Sequence, residues 1–124
     1  MIPSLGRGIA PLRHALENGA VLFVQETAAT PAVAINAAFR AGSLYEPDHL
    51  TGLAYLTGRV IDRGTERRSA EVIAEELDER GVSLRVGSTR HTMTLSCTCL
   101  AEDFQDVLAI VMDVARRPYG CDDP

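Results

Sequence analysis

Gly52 to Thr65 reads G-L-A-Y-L-T-G-R-V-I-D-R-G-T, and the fold turns on how this stretch is read. Leu50, Leu53, Ala54, Leu56, Val60 and Ile61 recur near the 3.6-residue period of a helix, which predicts an apolar stripe along one side. Asp48 is the expected N-cap, the helix is expected to run to about Asp62, and Gly64 is a natural stop. A helix of this kind, with glycine near both ends, has to be placed among its neighbours before its chemistry can be read.

Working toward the N-terminus, Gly42 to Asp48 breaks an extended run, Ala32 to Ala41. In that run Val33, Ile35, Ala37 and Phe39 share one face. Ala32, Ala34, Asn36, Ala38 and Arg40 share the other, mostly small residues that could sit under a helix. An earlier strand, Ala20 to Glu26, follows the turn signal Asn18-Gly19. Residues 1–15, with Pro3, Gly6, Gly8 and Pro11, are expected to form an irregular leader.

Toward the C-terminus, Ser69 is placed to cap a second helix. Glu71, Glu75 and Glu76 come early in it and Arg80 late, the order that the helix dipole favours, and Gly81 suits its C-terminal cap. Val82, Leu84 and Val86 alternate with Ser83, Arg85 and Gly87 as a third strand. Thr92 to Leu100 alternates most clearly, with Met93, Leu95, Cys97 and Cys99 on one face. Phe104, Val107, Leu108, Val111 and Val114 mark a last helix from Glu102 to about Arg116, which Pro118 and Gly120 end. The order β-β-α-α-β-β-α predicts an α+β fold, a largely antiparallel sheet with helices packed on one face. The expected domain spans 16–118, followed by a tail, 119–124.

Bulk properties exclude several functions. The 124 residues suit one domain or part of one. A net charge of -5 disfavours nucleic acid, because phosphate contacts need a basic surface. Three cysteines cannot make a disulfide framework, and Cys97 and Cys99 read as packing residues. No segment approaches the roughly 20 apolar residues needed to cross a bilayer, and Met1 to Gly8 lacks the apolar run of a secretory signal, so a cytoplasmic chain without membrane contact is expected. Gly6-Arg7-Gly8 lacks the strand and spacing of a phosphate loop. Ser43, Ser69, Ser83, Ser88 and Ser96 show no nucleophile elbow. His14, His49 and His91 have no second ligand at i+3 or i+4 in a helix with them.

Several pieces, taken in order, resemble the N-terminal domain of the pitrilysin/insulinase family of zinc metallopeptidases, which includes the mitochondrial processing peptidases. They are Leu16-Glu17-Asn18-Gly19, Arg40-Ala41-Gly42-Ser43, Glu46-Pro47, Gly52-Leu53-Ala54, Arg63-Gly64-Thr65, and the helix from Ser69 to Gly81. The resemblance covers about Leu16 to Pro118. It implies an H-x-x-E-H motif on the first helix, where two histidines one turn apart ligate zinc and the glutamate activates the metal-bound water. The positions that match the motif are Tyr55, Gly58 and Arg59. A phenol, a hydrogen and a guanidinium supply neither the ligands nor the base, so no zinc or other cofactor and no catalysis are expected of this chain.

The resemblance also implies that an extended peptide pairs with an edge strand next to that helix, here Leu84, Arg85, Val86 and Gly87, with Arg85 where asparagine is usual. Family chains that lack the motif pair with a catalytic partner. This chain therefore resembles a structural or peptide-binding subunit. The family domain continues past the third helix, so self-association or a covering partner is expected for a sheet ending here. Two alternatives stand beside this reading. One is an active zinc metalloendopeptidase whose metal site is supplied by a partner chain, and the other is a small α+β protein-binding module.

Overall fold

The computed structural model describes residues 10–119. They form two units, one ending at Pro31 and the other starting at Ala32. In the first, strands β1 (Leu12–Ala15) and β2 (Val21–Val24) make an antiparallel hairpin, with Leu12 opposite Val24 and Ala15 opposite Val21. The turn is built as its sequence demands. Gly19 adopts φ +87°, and the Asn18 side chain accepts a hydrogen bond from the Ala20 N–H at 3.0 Å. Strand β1 corrects the expectation that residues 1–15 are irregular. Its own strand signal is weak, and its backbone groups are satisfied by β2 across the turn. The rest of that leader, residues 1–9, and all of the tail except Tyr119 lie outside the described residues.

The second unit contains β3 (Ala32–Phe39), α1 (Leu53–Val60), α2 (Ala70–Asp78), β4 (Arg85–Ser88), β5 (Met93–Leu100) and α3 (Phe104–Arg116). Its three-stranded antiparallel sheet has the order β3-β5-β4, so the last strand in sequence lies at the centre. The architecture is α+β, as expected, and one strand longer at its start than the predicted order.

Strand β5 earns the centre by its alternation. Met93, Leu95, Cys97 and Cys99 are all buried, and Ala32 to Phe39 pairs with it along its full length. Opposite these residues lie Ile73 and Leu77 of α2 and Val107, Ile110, Val111 and Val114 of α3, which complete the core. Each fully buried aliphatic side chain contributes about 1.5–3 kcal/mol by leaving water, so α3 alone anchors much of the unit. It begins after a 3₁₀ turn, Ala101–Asp103, slightly later than its periodicity predicts. Burial raises the pKa of the thiol of Cys97, with Cys99 adding to the effect. It does the same to Cys99, where Asp103 adds to it. Both are packing thiols kept in the neutral form.

One expectation about β3 is overturned. Val33, Ile35 and Ala37 do pack against the core. The opposite face, with Ala34, Asn36 and Ala38, is exposed, and no helix among the described residues covers it. Small side chains suit a solvated sheet face as well as a covered one, so size alone does not distinguish them. Helix α2 is capped as predicted. Ser69 Oγ accepts from the Val72 N–H at 3.3 Å, Arg80 Nη1 donates to the Glu76 carbonyl at 2.6 Å, and Gly81 takes φ +64°.

Candidate functional site

The site is built around α1, and its position begins with a glycine in the preceding loop. At Gly42 a Cβ would collide with the main chain of Arg90 and His91 in the β4–β5 turn. Only glycine permits this approach, which lets Ser43 and Leu44 donate backbone hydrogen bonds to the carbonyls of Thr89 (3.2 Å) and Arg90 (2.8 Å). The loop after β3 is thereby stapled to the turn that leads out of β4. A 3₁₀ turn, Ser43–Tyr45, follows and places Glu46.

Glu46, not Asp48, caps α1. Its Oε2 accepts from the Gly52 N–H and its Oε1 from the Ala54 N–H, both at 2.9 Å. A carboxylate spanning two orphan donors at a helix start satisfies them and complements the dipole. Asp48 instead opens a 3₁₀ turn, Asp48–Leu50, and the α-helix starts only at Leu53, after Gly52 at φ +94°. The sequence offered two acidic residues before the helix. The farther one wins because the intervening 3₁₀ turn brings it back over the N-terminus.

The face that α1 presents to the protein also differs from its apparent stripe. Ala54 is buried and Thr57, Gly58 and Ile61 are half-buried, whereas Leu50, Leu53, Leu56 and Val60 are exposed. Small residues let the helix approach β4 closely. A Cβ on Gly58 would lie 3.6 Å from Ser88 Cβ and 3.8 Å from Val86 Cγ1, ordinary van der Waals contact. Close approach thus outweighs the burial of larger side chains, and Leu56 and Val60 are left facing outward. Tyr55 and Arg59, one turn apart, are exposed as well.

Strand β4 lies at one edge of its sheet and, among the described residues, pairs with β5 alone. Arg85, Val86 and Gly87 lie in it, and Leu84 falls just before its first residue. The structure therefore brings together the two groups of residues that the sequence singled out. Gly58 faces the edge strand, with Tyr55 and Arg59 on the same helix.

The chemistry of this arrangement is limited. Tyr55, Gly58 and Arg59 offer a phenol, no side chain and a permanent cation, a set that does not fit zinc. His14 lies in β1, His49 in the 3₁₀ turn before α1 and His91 in the β4–β5 turn. Among the described residues no group of three or more His, Cys, Asp or Glu side chains is placed to hold a metal ion. A hollow of about 510 Å³ on the inner side of α1 has largely apolar walls, among them Phe39, Leu53, Ile61 and Met93. Its charged lining residues are Arg40 and Glu46, and Glu46 is engaged as the cap.

Sequence reasoning missed the network that closes the far end of α1. Gly64 turns the chain at φ +133°, and Thr65 is buried after it. Thr65 Oγ1 donates to Asp113 Oδ2 at 2.7 Å and accepts from the N–H groups of Arg67 and Arg68 at 3.2 and 3.0 Å. Arg68 Nη1 donates to the same carboxylate oxygen at 2.8 Å, and its Nε reaches Glu76 at 3.1 Å. Tyr119 N–H donates to the Gly64 carbonyl, so the chain after α3 is tied to the same loop. Burial by itself raises the pKa of Asp113. The hydrogen bonds from Thr65 and Arg68, with the charges of Arg68 and Arg67, outweigh it and hold the carboxyl below its ordinary value. The one available signal was an acidic residue within the apolar run of α3.

Comparison with known proteins follows the same outline. The family model described as Insulinase (Peptidase family M16) matches residues 21–119. An uncharacterized zinc protease of Rickettsia bellii (strain RML369-C) is 29% identical over 102 residues, covering 82% of this chain and 25% of the relative. A probable mitochondrial-processing peptidase subunit beta of Arabidopsis thaliana is 24% identical over 102 residues, covering 82% of this chain and 19% of its own length. The chain thus spans a quarter or less of these curated relatives. The crystal structure of a peptidase M16 inactive domain from Pseudomonas fluorescens superposes with a TM-score of 0.81 at 20% identity, covering 89% of this chain and 27% of that one. That likeness establishes the shared fold.

Proposed function

The chain belongs to the insulinase (peptidase M16) family, and from that premise we propose that it is a non-catalytic member that holds an extended peptide beside a catalytic partner subunit. The observation that carries the proposal is the contact of α1 with β4. The helix is capped by Glu46, packed through Gly58 against Val86 and Ser88, and supplies no metal donor at Tyr55, Gly58 or Arg59. What remains at the site is an edge strand whose outer backbone groups can pair with an added strand.

A partner is favoured by the outward face of α1. Tyr55, Leu56 and Val60 are all exposed on a helix eight residues long, and clustered apolar side chains of this kind mark association surfaces. The Arabidopsis relative is itself described as a subunit, which agrees with a role inside an assembly.

Metal content and peptide cleavage test the proposal directly. The purified chain is expected to carry far less than one zinc per molecule and to leave a mixed peptide library uncut, with or without added zinc. Stoichiometric zinc with EDTA-sensitive cleavage would sink the proposal and favour a metallopeptidase whose site is completed by another chain.

A further inference from the structure

The open face of the sheet beside β4 holds a hollow of about 450 Å³ whose polar lining includes Asn36, Ser83, Arg85, Ser96 and Thr98. Arg85 is the only charged side chain in that lining, and no carboxylate is among the residues around it. The contrast with the whole chain is sharp, because acidic residues outnumber basic ones by 17 to 12. Among the described residues several arginines are neutralised internally: Arg63 by Asp62, Arg68 by Glu76 and Asp113, and Arg80 by Asp103 and Asp106. Arg85 has no ion pair among the described residues, as is true of most of the described arginines, and what sets it apart is its place in this carboxylate-free hollow. Arg85 starts the edge strand.

We infer that the strand accepted by β4 is an acidic peptide segment, with a glutamate or aspartate side chain seated over Arg85 in this hollow. The inference rests on the edge-strand reading above and adds the chemical class of the peptide. The geometry follows from strand pairing. A residue directly opposite Arg85 in an added strand projects to the same sheet face, with Cβ atoms about 4.5–5.5 Å apart. A carboxylate there meets the guanidinium and the surrounding hydroxyl and amide donors, which is charge-assisted pairing. Arg85 is matched on its other side by Ser96 of β5, which leaves its charge unopposed within the sheet. Val86, alternating with it, faces the helix side and packs against the core. A basic side chain opposite Arg85 would be repelled. The charge of Arg85 therefore selects against cationic segments as well as for anionic ones.

The test is a fluorescence anisotropy titration of the full 124-residue chain with three nine-residue Thr/Val-rich peptides that differ only at the central residue, Glu, Gln or Lys. At low ionic strength the Glu peptide is expected to bind about two- to fivefold tighter than the Gln peptide, and the Lys peptide weakest, as suits one exposed pair. Raising salt to about 0.5 M should remove most of the difference. The Arg85→Gln variant should bind the Glu and Gln peptides with equal affinity. Equal binding of Glu and Gln peptides by the unmodified chain, or a preference that survives Arg85→Gln, would overturn the acidic assignment and leave edge-strand pairing intact. Failure of all three peptides to bind would overturn both.

Discussion

Helices α1 and α3 belong to the same small unit and are held by opposite means. Helix α3 buries Val107, Ile110, Val111, Asp113 and Val114, while α1 buries only Ala54. The first is fixed by the hydrophobic effect, the second by its cap, its close approach to β4 and its connection to the Thr65 network. The difference teaches where sequence change is tolerated. A helix held by backbone geometry and one small face can replace most of its other side chains without loss of position, and Tyr55, Gly58 and Arg59 lie on such a helix.

The largest expected effect tests this contrast directly. Ile110→Ala should destabilise the protein by about 2–5 kcal/mol in urea unfolding, because it empties a site with 1% exposure. Leu56→Ala on α1, where the side chain is 59% exposed, should stay within about 0.5 kcal/mol. Equal losses from the two would break the comparison.

A smaller effect sharpens it at the junction of the two helices. Asp113→Asn removes the charge that Arg68 and Thr65 share and should cost about 1–3 kcal/mol at neutral pH. The pH dependence has a definite sign. The Asp113 carboxyl titrates lower in the folded state than in the unfolded chain. Its contribution is therefore complete above the ordinary carboxylate range and is lost as pH falls through the folded value. The gap between the two stability curves should be constant above about pH 5 and narrow as pH falls below about 4, where the unfolded carboxyl takes up its proton. Parallel curves across the acid range would remove Asp113 from the account.

The smallest effect has the opposite sign. Gly58→Ala should stabilise α1 by about 0.5–1 kcal/mol, since glycine costs that much inside a helix and the added methyl meets Ser88 and Val86 at ordinary distances. A loss of stability would show that the approach of α1 to β4 is tighter than its atoms indicate.

Much of this architecture is legible from local pattern. The alternation of Met93, Leu95, Cys97 and Cys99 and the spacing of Val107, Val111 and Val114 each repeat a period that only one element satisfies. Ser69 and Gly81 announce the ends of α2 in the same way. What is not legible depends on partners distant in sequence. Strand β1 acquires its structure from β2, Asp113 meets Thr65 across 48 residues, and Glu46 reaches α1 through an intervening turn. The apparent stripe of α1 misled for a related reason. Periodicity reports which residues share a face, not whether the neighbour offers depth or only proximity. The candidate site divides along the same line, since Tyr55, Gly58 and Arg59 are recognisable in sequence, whereas their juxtaposition with the edge strand needs the fold.

Gly42 bears on how such a chain changes over generations. No other residue can stand there without displacing the Arg90–His91 main chain, so drift at that position is purged by folding before function is ever tried. Tyr55 and Arg59 are exposed and face no such filter. Mutation therefore erodes the chemistry of this scaffold sooner than its shape, and a lineage released from catalysis would keep the staple at Gly42 long after its metal ligands had gone.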